Sequence, residues 1–160
     1  QGDLMRDIRP YRPEDRAAAA LVFFRAVREG SAAFYTEAER AAWAPSESPD
    51  PDRPDKLLDQ DCLVAEEDGQ MIGFFSMDPT GYLDMAFVIP EVMGDGTAAA
   101  LYDTLMARAR AKGLTRFTVR AAEQSRRFLT RRGWTVTGHE RLEEEDQVFD
   151  ICLMALEDVA

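Results

Sequence analysis

Phe87-Val88-Ile89-Pro90-Glu91-Val92-Met93-Gly94-Asp95-Gly96-Thr97-Ala98 passes from an apolar run through a glycine turn straight into a helical pattern, and its reading decides the fold. Tyr82 to Ile89 reads as a strand that Pro90 must stop, because proline has no N–H for a ladder bond. From Thr97 to Lys112, Leu101, Leu105 and Ala109 recur every four residues while Asp103 and Arg110 fall elsewhere, the spacing of an amphipathic helix that Gly113 closes. At the junction, Gly94 and Gly96 let the backbone approach a ligand closely. The unpaired amides and positive dipole end of the following helix attract an anion such as a pyrophosphate. A turn that needs glycine only for positive φ would use the same pair, so both readings stand at this point.

Working outward, Asp7 to Tyr11 reads as a first strand, and Pro13-Glu14-Asp15 starts a helix that runs to Arg28 and ends at Gly30. Thr36 caps a second, shorter helix through Trp43, with Glu39 placed for a capping box. Pro45 to Pro54, rich in proline, serine and aspartate, disfavours helix and central strand alike and reads as a loop. Cys62 to Glu66 and Met71 to Ser76 are apolar runs joined by Asp68-Gly69, a dipeptide that favours a tight hairpin turn. Beyond Gly113, Arg116 to Arg120 reads as a strand and Gln124 to Arg132 as a short helix. Two strands follow from Trp134 around the acidic turn Glu143-Glu144-Glu145-Asp146. No internal repeat is present.

The chain of 160 residues fits one domain, and its 46% hydrophobic content is ample for a core without staples or metals. Cys62 and Cys152 lie far apart within apolar runs, so they are expected to be small buried hydrophobes rather than a disulfide or a metal clamp. No stretch approaches the length of a membrane span and no secretory signal is evident, which leads us to expect a cytoplasmic protein with no membrane partner. Gln1-Gly2 has the look of a scar left by tag removal. A net charge of −11, from 19 basic and 30 acidic residues, argues against nucleic-acid binding, whose footprint is a basic patch. His139 is the only histidine, and without companion ligands it makes no metal site.

The junction resembles that of the GNAT superfamily of N-acyltransferases, in which a strand ending in V-x-P-E or V-x-P-D precedes a Q/R-x-x-G-x-G/A loop and a long helix. Val88, Pro90 and Glu91 match the approach, and Gly96, Thr97 and Ala98 match the final G-x-G/A. Met93 stands where the family usually has Gln or Arg, and Asp95 occupies a variable position often basic in relatives. Downstream, Phe128, Gly133 and Trp134 match an F-Y/F-x-x-x-G-F segment, and Gln124 matches a common asparagine. Phe34-Tyr35-Thr36 with Trp43-Ala44-Pro45 looks like an acceptor-side helix. The resemblance implies a single α/β (α+β) domain, a mixed, twisted central sheet flanked by helices. Its activity would be acetyl transfer from acetyl-CoA, without a metal, to a primary amine of a small molecule or protein.

On that resemblance, Phe87, Val88, Gly94, Asp95, Gly96, Thr97, Ala98, Ala99 and Gln124 are the expected cofactor contacts, with backbone amides near Phe87 and Val88 polarising the thioester carbonyl. Many relatives place a tyrosine acid toward the departing thiolate at the position of Leu129, which has no proton to give. Asp84, a polar residue inside an apolar strand, is the expected base, unless it merely marks the solvated face of that strand. Tyr35 and Trp43 either line an acceptor pocket or pack into a core or a dimer contact. Two rival functions follow: a degenerate domain that binds acyl-CoA or a protein without turnover, motivated by Met93, Asp95 and Leu129, and a structural homodimer paired through Val148 to Leu156.

Overall fold

The computed structural model describes residues 6–158, so the expectation for Gln1-Gly2 lies outside the described residues. Two tight hairpins frame the chain. β2 (Asp61–Glu67) and β3 (Gln70–Met77) are joined through Asp68 and Gly69, at φ 52° and 82°. β6 (Thr135–Glu144) and β7 (Gln147–Glu157) are joined through Glu145 and Asp146, at φ 47° and 63°. Both turns use successive left-handed residues, whose twist matches that of the strands they connect. With β1 (Arg6–Pro10), β4 (Tyr82–Val88) and β5 (Arg116–Ala121) these strands form one seven-stranded sheet in the order β1-β2-β3-β4-β5-β7-β6.

All neighbours are antiparallel except β4 and β5, which run parallel and are linked by the helix α3 (Thr97–Ala111). Parallel neighbours need such a crossover because a hairpin cannot join them. Of the stretch Val148 to Leu156 expected to pair across subunits, Cys152 to Leu156 already lies between β5 and β6, while Val148 to Ile151 pairs with β6 alone.

The remaining helices are α1 (Arg16–Arg28), α2 (Glu37–Trp43) and α4 (Glu123–Thr130). The proline-started segment Pro13–Asp15 is a 3₁₀ turn leading into α1. Thr36 caps α2 by accepting from the Glu39 N–H (3.1 Å), and the Glu39 carboxylate accepts from the Thr36 N–H (2.8 Å), the reciprocal pair that the spacing predicts. Residues 45–54 form an irregular segment tied to α1, where the Arg16 guanidinium donates to the carbonyls of Asp50 (3.0 Å) and Arg53 (2.6 Å).

Helices cover both faces of the sheet. One face packs Leu63, Phe75, Met77, Leu83, Phe117 and Met154 against Leu101, Leu105 and Met106 of α3 and Leu129 of α4. The other packs Cys62, Val64 and Phe74 against Ala19 and Val22 of α1. Four consecutive residues of β2, Cys62 to Ala65, are therefore all buried, which is why this strand reads as a continuous apolar run rather than an alternation. Gly73 makes the close fit of α3 possible: a Cβ there would lie 2.8 Å from Val88 Cγ1 and 3.1 Å from Leu101 Cδ1. Cys62 is buried as expected, and burial pushes its thiol up to about 12. Cys152 is only partly covered, with Sγ 3.8 Å from His139 Nδ1. No described helix is long and apolar enough to cross a membrane.

Candidate active site

The parallel pair β4 and β5 stays in register only at Tyr82 with Thr118 and Leu83 with Val119. Beyond Leu83, β4 pairs with β3 alone, and a cavity of about 640 Å³ fills the gap that opens beside it. The Ile89 N–H donates to the Ile72 carbonyl (2.9 Å). Since backbone groups alternate along a strand, the Phe87 amide faces β3 as well, while those of Ala86 and Val88 face the gap. Of the two amides expected to meet the thioester, only that of Val88 points there; Phe87 presents its ring to the cavity instead.

At one end lies the glycine turn. Gly94 and Gly96 have φ 80° and 100°, the left-handed region that side chains rarely adopt, and nothing stands within 4 Å of where a Cβ would project. The amides of Gly94, Gly96, Ala98 and Ala99 have no hydrogen-bond acceptor among the described residues, and these four residues line the cavity. Asp95 and Thr97 do not line it. The Asp95 Oδ1 accepts from the Thr97 N–H (3.0 Å) and hydroxyl (2.7 Å), and Oδ2 pairs with Arg6 (3.1 Å) on β1. Partial burial alone would push this carboxyl up; the bonds from Thr97 and Arg6 hold it below its ordinary value. The acidic residue of the glycine turn is thus held by Thr97 and Arg6, and Asp95 and Thr97, expected among the cofactor contacts, lie outside the cavity lining. Glu91 plays a parallel part, its carboxylate gripped by Arg25 of α1 (2.6 Å).

α4 and the two residues that follow it close the same end. Gln124, Ser125, Phe128, Arg131 and Arg132 all line the cavity. The Arg132 guanidinium lies 3.7 Å over the Phe128 ring, and neither Arg131 nor Arg132 pairs with a carboxylate among the described residues. Sequence reasoning passed over these two cations, although Arg126-Arg127 and Arg131-Arg132 within seven residues of a chain of charge −11 are a signal. Leu129, only 1% exposed, forms part of the wall and of the core. Thr130 donates back to the Arg126 carbonyl (2.6 Å).

The opposite end is walled by rings. Phe34, Tyr35, Trp43 and Phe87 line it, with Tyr35 and Trp43 edge to face at 5.8 Å and Trp43 and Phe87 at 6.4 Å. Phe149 of β7 braces them from behind, 5.9 Å from Tyr35 and 6.2 Å from Trp43. The Tyr35 hydroxyl accepts from the Glu123 N–H (2.9 Å). Burial pushes its phenol up, a shift that this N–H only partly offsets.

Asp84 also lines the cavity, and the sheet explains why. Ser76 pairs with Met85 and Met77 with Leu83, so Asp84 is the extra residue of a bulge and escapes simple alternation. Its Oδ2 receives Lys56 Nζ (2.9 Å) and Gln60 Nε2 (2.8 Å), while Oδ1 has no partner among the described residues. The cations on this side are matched with acids: Arg120 with Glu140 (2.8 Å) and Arg127 with Glu123 (2.9 Å). Those bonds from Arg126 and Arg127 pull the Glu123 carboxyl down to about 2. The cavity is consequently polarised, with unpaired cations and amides at one end and one anchored carboxylate at the other. No group of three or more potential metal-ligating side chains occurs among the described residues.

The family model of the acetyltransferase (GNAT) domain matches residues 31–150. No curated protein sequence matches the chain. Among solved structures, the GCN5-related N-acetyltransferase (aminotransferase, class-II) from Rhodopseudomonas palustris is 26% identical at TM-score 0.85, over 98% of this chain and 99% of that one. The PaiA N-acetyltransferase from Thermoplasma acidophilum, in complex with coenzyme A, is 17% identical at TM-score 0.75, over 96% and 99%. yncA from Salmonella typhimurium, solved with its cofactor acetyl-CoA, is 22% identical at TM-score 0.67, over 99% and 96%.

Proposed function

The chain belongs to the GNAT acetyltransferase family, and from that premise we propose that it transfers an acetyl group from acetyl-CoA to a primary amine of a small molecule or protein. The observation that carries the reading is the placement of four unpaired amides, Gly94, Gly96, Ala98 and Ala99, in the same cavity as the anchored carboxylate of Asp84. The amides and the cations Arg131 and Arg132 suit the phosphates of the cofactor. Solved structures of this fold hold coenzyme A or acetyl-CoA, which supports the assignment.

In the mechanism, the thioester lies in the gap beside β4, where the amides of Ala86 and Val88 donate to the developing oxyanion. The acceptor amine attacks the thioester carbon and forms the amide bond. Its proton passes to Asp84 Oδ1, directly or through water, and the C–S bond breaks to release the coenzyme A thiolate. Leu129 supplies no proton to that thiolate. A thiol of pKa about 8.5 leaves without one, at a cost in rate. Leu129 also favours a second reading, a domain that binds acyl-CoA without turnover. Transfer of labelled acetyl from acetyl-CoA to a panel of primary amines separates the two: the first predicts labelled amide, the second saturable cofactor binding with no label transferred.

A further inference from the structure

The acceptor end of the cavity carries more chemistry than an amine requires, and it restricts which amine fits. Asp84 is the only acidic residue lining the cavity among the described residues, so an acceptor with several ammonium groups finds one partner and leaves the others unpaired. The cations of this end, Lys56, Arg120 and Arg127, are matched with Asp84, Glu140 and Glu123. A carboxylate on the acceptor would have to break one of these pairs. What remains is one unpartnered carboxylate oxygen, Asp84 Oδ1, and an apolar wall built from Tyr35, Trp43 and Phe87. Asp84 and Phe87 are three residues apart on β4, about 10 Å of extended chain, the span of an amine, a short alkyl arm and one ring.

We propose that the acceptor is a primary monoamine joined through a short alkyl arm to an aromatic ring, its amino group received by Asp84 Oδ1 and its ring by Tyr35, Trp43 and Phe87. The inference rests on the acetyl-transfer reading above. Rings meet such walls edge to face, and an amine beside them gains from their π faces without further charge. Trp43 acts as a specificity residue: it touches the ring, while the glycine turn proposed for the cofactor phosphates lies across the cavity.

Steady-state kinetics with saturating acetyl-CoA, comparing 2-phenylethylamine, phenylalanine and spermidine, tests the class. The thermal shift produced by acetyl-CoA is recorded on the same samples. We expect kcat/KM for 2-phenylethylamine to exceed that for either rival at least about ten-fold. Trp43→Leu should raise its KM by about ten-fold while leaving the KM of acetyl-CoA and the thermal shift unchanged. Should that variant fail to fold, Tyr35→Leu takes its place, read by the same ratio. Preference for spermidine or phenylalanine, or turnover of none of the three with the thermal shift intact, overturns the proposed class and leaves acetyl-CoA binding standing. Absence of any shift together with absence of turnover sinks the acetyl-transfer reading itself, and this inference with it.

Discussion

The two ends of the cavity are built from different materials. The glycine-turn end is mostly backbone: four amides from one short stretch of chain, Gly94 to Ala99, exposed because the turn and the first helical residues have no upstream carbonyls to receive them. The ring-walled end is side chain only. It draws Tyr35 from just before α2, Trp43 from the last position of α2, Asp84 and Phe87 from β4, and the brace Phe149 from β7. A backbone site tolerates drift in the residues around it, whereas a side-chain site changes with each one. The lesson is that cofactor and acceptor binding should fail separately when the two ends are altered separately.

Asp84→Asn gives the largest expected effect. It keeps the shape at Oδ1 and removes the proposed base, so kcat/KM should fall about 10²- to 10⁴-fold while the thermal shift with acetyl-CoA persists. Loss of both would show that the two ends are not separable. At the other end, Gly96→Trp places a bulky side chain at φ 100° in the space above the turn. For the unaltered protein, acetyl-CoA at 100 times its Kd should add about 2.7 kcal/mol, a midpoint rise of roughly 5–10 °C in a thermal scan. The variant, if it still unfolds cooperatively, should lose that rise; an unchanged rise would remove the turn from the cofactor site.

A smaller effect is expected from Thr36→Ala, which deletes the cap of the helix that carries Trp43. Stability should fall by about 1 kcal/mol, a drop of roughly 2–4 °C in Tm, with the acetyl-CoA shift preserved. The smallest concerns Glu123, partly exposed at the start of α4 and paired with Arg126 and Arg127. Its folded pKa, about 2, lies below the usual value for glutamate. The pairing therefore stabilises fully above about pH 4.5 and is lost as pH falls through about 2. Solvent screening keeps the contribution modest. In a Tm series from pH 7 to pH 2, the difference between the unaltered protein and Glu123→Gln should shrink over that interval; a constant difference would mean that the pairing carries no linkage.

Much of the architecture was legible because its causes are local. The capping box at Thr36 and Glu39, the Asp68-Gly69 turn, the stop at Pro90 and the apolar repeat of α3 each act within a few residues, and each appears in the structure. The helix expected over Gln124 to Arg132 spans Glu123–Thr130, its end set by a turn through Gly133 at φ 90°. The site was legible in part. Of the cavity lining, Gly94, Gly96, Ala98 and Ala99 were readable through the turn, and Asp84 through its polarity within an apolar run. The roles of Asp95, Arg131 and Arg132 were not readable, since a charge acquires its role from what stands opposite it, and Arg6 lies on a strand far away in sequence.

By itself, the sequence determined the family, the order of elements and the residues of the glycine turn, because helix periods, caps, turns and glycine conformations are set by near neighbours. Only the tertiary structure decided that β7 is an interior strand rather than an edge, that Asp95 turns from the cavity to Arg6, that a bulge aims Asp84 into it, and that Tyr35, Trp43 and Phe87 share one wall. Those outcomes depend on pairings between segments separated by tens of residues, where strand register and side-chain packing, rather than local preference, choose the partner.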